Sequence, residues 1–438
     1  MHLKLPKINL SDLKTLLKDE CTERFEEGYE INVDEFRKWI ERADSIEELL
    51  RIYEDIQSLD MRKGYEYVEP STLAEINKER PSRYDRFSVD LSQEELKDKV
   101  LGGWLGRCAG CMLGKPVEGW TRDQIRKVLS DIDEYPLRKP YFPFEAFRYA
   151  EKGRREYARA LTRGNISRAE RDDDIDYTIL NLLVYEKRGC NFTTEDIAGE
   201  WLMRLPYHMT YTAERVAYRN LIIGLRPPDT AIFLNPYREW IGAQIRADLW
   251  GYVNPGDPER ALEYAFRDAC LSHTKNGIYG EMYMAALISL AYTHDDPLGL
   301  VEEGLKAIPA RSRLAEAIRY VISLYRRGLE WEETITEILA KYGSYHFVHT
   351  INNAALVVAA LLWGEGDYGK TITYAVLSGL DTDCNGATAG SIMGVMLGAS
   401  RLPEEWVKPL NDTVASALCG LAELRISDLA KRTLKLIT

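Results

Sequence analysis

Two short runs of carboxylates hold the residues best suited to chemistry. The first is Arg171-Asp172-Asp173-Asp174-Ile175-Asp176-Tyr177-Thr178, with four Asp in five positions. The second lies about 200 residues later, Gly379-Leu380-Asp381-Thr382-Asp383-Cys384-Asn385-Gly386, with two Asp one residue apart. The positive end of a helix dipole accounts for one or two Asp at a helix start. Four in five positions exceed that need, because adjacent carboxylates repel and raise one another's pKa unless a cation neutralises them. If the fold joins the two runs, Asp173, Asp174, Asp381 and Asp383 form an oxygen-rich cage without histidine. Such a cage suits Mg2+, Mn2+ or Ca2+ rather than zinc.

Each run opens a helix. After the first, Ile175, Ile179, Leu182 and Leu183 recur at helical spacing up to Gly189. The second leads into a row of glycines four apart, Gly386, Gly390, Gly394 and Gly398, and a matching row, Gly102, Gly106, Gly110 and Gly114, stands far upstream. Each row makes a smooth strip on one helix face. Glycine costs up to about 1 kcal/mol per interior helix position relative to alanine, so eight of them require a return in close packing or in building a site.

From Ser92 onward apolar residues recur at helical spacing and no regular set of alternating strands appears, which predicts an all-α protein. Residues 1–94 are rich in charge and carry short helical patterns at Val33–Ala43 and Ser45–Leu59, ending in the connector ERPSRYDRFSVDLS. They read as a helical appendage, with residues 95–438 as the catalytic domain.

Composition narrows the class. With 438 residues, 45% apolar and 29% charged, the chain is globular in character. Its net charge of -12 argues against nucleic acid or anionic lipid as partners. The longest apolar runs reach half of the ~20 residues a membrane span needs, and the first ten residues show no secretory apolar segment. Seven scattered cysteines suit reduced thiols, and with them a cytoplasmic location. The Cys108-x-x-Cys111 pair has no second pair at zinc spacing and reads as helix packing. Gly364 to Thr371 matches a phosphate-loop pattern, but an Ala- and Leu-rich helical stretch precedes it and Glu365 and Asp367 would face the phosphates. His346-x-x-His349 lacks a zincin glutamate and reads as packing.

Three ordered motifs resemble those of the ADP-ribosylglycohydrolase family, across roughly Leu101 to Ser400. Gly106-Arg-Cys-Ala-Gly110-Cys-Met-Leu-Gly114-Lys-Pro116-Val-Glu118 is similar to the family's G-x-x-x-G-D-x-L-G-x-P-x-E, with Cys111 in place of Asp. Asp172-Asp173-Asp174-Ile175 stands at T-D-D-T, and Gly379-Leu-Asp381-Thr-Asp383-Cys384 at G-x-D-T-D-T. The resemblance implies an orthogonal helical bundle and a dinuclear Mg2+ centre, with Mn2+ an alternative. Its ligands would be Asp173, Asp174, Asp381 and Asp383, with Asp172 and Cys384 standing where the family has Thr ligands. It also implies catalytic roles for Glu118, as acid/base, and for Asp174.

Two further segments carry the resemblance to the substrate side. Gly242 to Gly251 is similar to G-N-G-x-x-M-R, with Arg246 matching and Ile241 replacing the Asn. Ser272 to Gly280 resembles the histidine segment, so Gly242, Arg246, His273, Gly277 and Tyr279 are expected to contact substrate. The expected activity is metal-dependent hydrolysis of a glycosidic bond to ribose in an ADP-ribosylated or small-molecule substrate. The competing expectations are an N-glycosidase for a nucleoside or other small glycoside, and a non-catalytic binding or structural protein.

Overall fold

A computed structural model describes residues 8–437; residues 1–7, part of the stretch read above for a secretory apolar segment, and residue 438 lie outside them. The described residues are almost wholly helical, with one short antiparallel hairpin, Thr413–Ala415 with Glu423–Arg425, as the sole named sheet among them. The all-α expectation is met. No described helix is long and apolar enough to cross a membrane.

The axis of the molecule is the pair of helices Gln93–Gly114 and Thr382–Leu397. Their glycine rows meet antiparallel: Gly102, Gly106 and Gly110 face Gly394, Gly390 and Gly386, and Gly114 faces Thr382. A Cβ on any of these glycines would sit closer to the opposing backbone than real atoms approach. The glycines therefore let two backbones touch, and dispersion over that seam offsets their helix-propensity cost. Both helices are buried over most of their length, wrapped by Lys275–Leu290, Thr350–Gly364 and Tyr368–Leu377.

Helix ends follow local chemistry. Ser92 and Glu95 form a reciprocal capping box at the start of Gln93–Gly114. Gly189, at φ +61°, ends Asp173–Arg188. Gly364 ends one helix and Asp367 caps the next, so the phosphate-loop pattern is a helix–helix turn in which Lys370 pairs with Glu365 at 2.6 Å. His349 caps Thr350–Gly364 by accepting from the Ile351 N–H through Nδ1 at 3.1 Å. All seven cysteines are free, and Cys108 and Cys111 are buried.

The helices Leu10–Glu26, Val33–Arg42 and Ile46–Gln57 share a small core of their own, which Leu234 joins. Ile76 and Tyr84 belong to the main core instead. Buried ion pairs cross between these parts: Arg238 reaches Glu20 and Glu27 at 2.8 Å each, and Arg313 reaches Glu69 at 2.8 Å.

Candidate metal centre and active site

The antiparallel glycine seam sets the register of the site. It places the C-terminal end of Gln93–Gly114, where Lys115 to Glu118 follow, against the N-terminal end of Thr382–Leu397. Thr382 Oγ1 donates to the Gly114 carbonyl at 2.8 Å and locks the two ends together. The loops beyond are tied as well, with Gly119 N–H donating to Leu380 O and Leu380 N–H to Trp120 O, each at 3.0 Å. Leu380 adopts φ +67°, a left-handed conformation that a bulky residue holds only when its surroundings enforce it. Glu118 thus lies beside Asp381 and Asp383: one carboxylate oxygen from each falls within 4.8 Å of the others.

Asp381 occupies the N-cap of its helix yet makes no cap hydrogen bond. That forgoes about 1 kcal/mol of local stabilisation and leaves the carboxylate free for a ligand. Asp172, at the N-cap of Asp173–Arg188, does the ordinary job and accepts from the Asp174 N–H at 3.0 Å. Asn353 fixes the Asp381 backbone: its Oδ1 accepts from Asp381 N at 3.2 Å and from Asn385 Nδ2 at 2.8 Å.

The first carboxylate run closes the other side. Asp174, Asp383 and Cys384 bring one ligand atom each within 4.8 Å, as do Cys111, Asp172 and Asp174. Asp172 is paired with Lys115, which also donates to Arg171 O at 2.8 Å. Asp174 lies 3.3 Å from the Arg107 guanidinium, and Asp173, part-exposed at the rim, lies 4.0 Å from Arg171. Among the described residues Glu118, Asp381 and Asp383 have no ion-pair partner, and the buried Asp383 Oδ1 has no hydrogen bond.

The electrostatics follow from these pairings. Burial, then Asp383 and Glu118, pushes the Asp381 carboxyl well above its ordinary range, and burial with Asp172 raises Asp383. Asp383 first, then burial, raises Glu118 to about 8. Asp173 and Asp174 are also raised, by burial and then Asp172. Among the six, Asp172 alone falls below the usual value, because Lys115 and the Asp174 N–H outweigh its burial. Burial and the neighbouring Asp172 carboxylate keep the Cys111 thiol protonated. An orphaned buried oxygen and three carboxylates crowded without a cation fit a hard divalent ion.

The structure brings together Glu118, Asp172, Asp174, Asp381, Asp383 and Cys384, with Asp173 at the rim. The five residues expected to touch substrate make contacts of their own. Arg246 is fully buried, bonded to Asp268 at 2.9 Å, Glu214 at 2.7 Å and Ser272 at 3.0 Å, with Glu281 at 3.6 Å. Gly242 has no Cβ because Glu214 fills that space. His273 is buried, with Nδ1 bonded to Ser272 at 2.8 Å and Nε2 unpartnered 4.0 Å from Glu214. Gly277 makes room for the Arg238 carbonyl, and the buried Tyr279 donates to Pro70 O. No hydrogen bond or ion pair of these five reaches the six carboxylates.

Sequence reasoning missed Lys115, Arg107, Tyr157 and Arg154. Lys115 sits at an unspecified position of the glycine motif, and Arg107 lies inside the glycine row, where burial of a charge is not foreseeable. Tyr157 and Arg154 belong to Lys152–Arg159, a charge-rich helix that reads as a solvated face. Arg154 donates to the Glu118 carbonyl at 2.8 Å, and Lys115, Asp172, Asp383 and Glu118 all act on the Tyr157 hydroxyl. A cavity of about 1020 Å³ lies elsewhere, between Leu10–Glu26 and the body, and includes none of the six carboxylates.

With an all-α fold and two aspartate runs joined through a glycine seam, the chain belongs to the ADP-ribosylglycohydrolase family, whose profile matches residues 92–436. That membership supports a glycohydrolase activity. The chain is similar to an uncharacterized protein of Archaeoglobus fulgidus, 23% identical over 322 residues, which cover 72% of this chain and 93% of the relative. It is also similar to a chain of an ADP-ribosylglycohydrolase-related protein complex, at 18% identity and a TM-score of 0.47, covering 78% of this chain and 98% of that one.

Proposed function

We propose that this protein is a cytoplasmic, divalent-metal-dependent hydrolase that cleaves a glycosidic bond to ribose and releases ADP-ribose from a modified acceptor. Residues 95–438 would form the catalytic domain and residues 1–94 its appendage. One observation carries the reading. Three carboxylates, Glu118, Asp381 and Asp383, converge without a cation, and one of them gives up its helix cap to do so.

These three would hold the ion, with Mg2+ first and Mn2+ second by the hardness of the oxygen donors. When bound, the ion supplies positive charge that orients ribose hydroxyls and a water. Glu118 is exposed to solvent at the mouth, and in the metal-free protein its carboxyl is raised to about 8. As a ligand it would give its proton up, and its second oxygen would take a proton from the attacking water and hand it to the leaving group as positive charge develops at C1′. Asp174, braced by Arg107, lines the inner wall and favours that developing charge. Arg154 holds the Glu118 backbone at the mouth, with Tyr157 close enough to feel its charge.

The deep burial of Arg246 and His273, together with Cys384, favours a second reading, a folded bundle that binds a glycoside without turning it over. An assay of ADP-ribose release from arginine- and serine-linked substrates, with Mg2+ or with chelator, separates the two. Release that requires Mg2+ and is lost in Asp381→Asn and Glu118→Gln supports hydrolysis. No release under any condition, from a protein that binds the sugar, supports the second reading.

A further inference from the structure

The six carboxylates divide into two groups by what already stands next to them. Asp172, Asp173 and Asp174 each have a cation supplied by the chain: Lys115, Arg171 and Arg107. Lys115 is the most committed of the three. Its ammonium is buried beside Asp172, donates to the Arg171 carbonyl at 2.8 Å, and lies on the residue that follows the glycine seam. Cys111 faces this half and Cys384 stands between the two, near Asp174 and Asp383; both carry buried thiols, and a neutral thiol is a poor ligand for a hard ion. Glu118, Asp381 and Asp383 have no resident cation, and Asp383 Oδ1 is unpartnered.

We propose that the centre is mononuclear, with the Lys115 ammonium serving as a built-in cation on the Asp172 side and a single divalent ion held by Glu118, Asp381 and Asp383. The inference rests on the metal-dependent reading above and sharpens it. A covalently tethered charge is always present, whereas a second ion must be bound from solution at a cost set by its concentration. Asp172 fits the same account: a carboxylate complements an ammonium, where a hydroxyl at that position would only ligate an ion.

The test is calorimetric titration of Mn2+ into the metal-stripped full chain, with low-temperature electron paramagnetic resonance of the loaded protein. The unaltered protein should take up one equivalent and give the hyperfine-split signal of isolated ions. Lys115→Met should take up a second equivalent, with a spin-coupled spectrum in place of the isolated one. Asp381→Asn should lose the single equivalent. If Lys115→Met does not fold, the double variant Lys115→Met/Asp172→Thr, which removes both charges of the pair, should bind two. Two equivalents or a coupled signal in the unaltered protein would overturn the inference and leave the hydrolase reading standing. One equivalent in the folded lysine variants would also overturn it. No uptake by the unaltered protein would sink the metal-dependent reading and this inference with it.

Discussion

Two sets of three carboxylates, one fully buried and one open at its edge, invite comparison. Glu214, Asp268 and Glu281 surround the guanidinium of Arg246, all of them shut away from solvent. Glu118, Asp381 and Asp383 form no ion pair among the described residues and open to solvent at Glu118. The first set is completed from within by the Arg at its centre, while burial raises the Glu281 carboxyl well above its ordinary range and raises Glu214 as well. The second is left for something the chain does not supply. Acidic clusters are therefore told apart by their partners. A cluster with its own cation holds the fold, and a cluster without one awaits a ligand.

The contrast can be broken most sharply at Arg246. Arg246→Met strands three buried carboxylates, and removing one partner of a buried ion pair costs about 3–5 kcal/mol. Denaturant unfolding should show that loss with or without metal. Asp381→Asn is the opposite case, since its carboxylate is uncompensated: the metal-free variant should unfold no earlier than the unaltered protein, while Mn2+ affinity falls on the order of 100-fold. An Asp381→Asn variant that unfolds as easily as Arg246→Met would erase the distinction.

The glycine seam offers a smaller effect that links packing to the site. Gly110→Ala forces a Cβ against the Gly386 backbone, and overpacking of this kind costs about 1–3 kcal/mol. Because the same seam positions Glu118 against Asp383, Mn2+ affinity should fall together with stability. Unchanged affinity would mean that the loop bridges at Gly119 and Leu380 hold the site without the seam.

The smallest effect is in pH. The Glu118 carboxyl, raised from 4.5 to about 8 in the folded protein, binds its proton more tightly folded than unfolded. It therefore stabilises the metal-free fold at low pH and loses that contribution as pH rises from about 4.5 through about 8. Metal binding must displace the same proton, so Glu118 contributes about tenfold in affinity per pH unit up to about 8, beside whatever Asp381 and Asp383 add. Glu118→Gln should flatten that slope. The Arg246 set, closed to solvent, should contribute no metal-linked slope.

The sequence is most legible where the physics is local. Glycines four apart, carboxylates at helix starts and the Gly189 stop are read from neighbours in the chain, and they locate the helix ends that carry the cluster. The partner of a side chain is set by tertiary packing, and there the reading fails. That Glu214, Asp268 and Glu281 converge on Arg246 from three other helices is not legible in its segment. Lys115 looks like a surface residue after a glycine row, yet the turn Lys115–Val117 carries it inward to Asp172. Tyr157 gives no signal, because the helix bearing it is nearly all charge. The hairpin at Thr413–Ala415 is too short for its alternation to register.

Calorimetric titration of ADP-ribose into metal-stripped protein, with and without Mg2+, tests the central claim most directly and requires no knowledge of the acceptor. The account predicts binding that depends on Mg2+ and is lost in Asp381→Asn but retained in a folded variant altered away from the cluster. Binding of equal strength in Mg2+ and in chelator, or none in either, would contradict it.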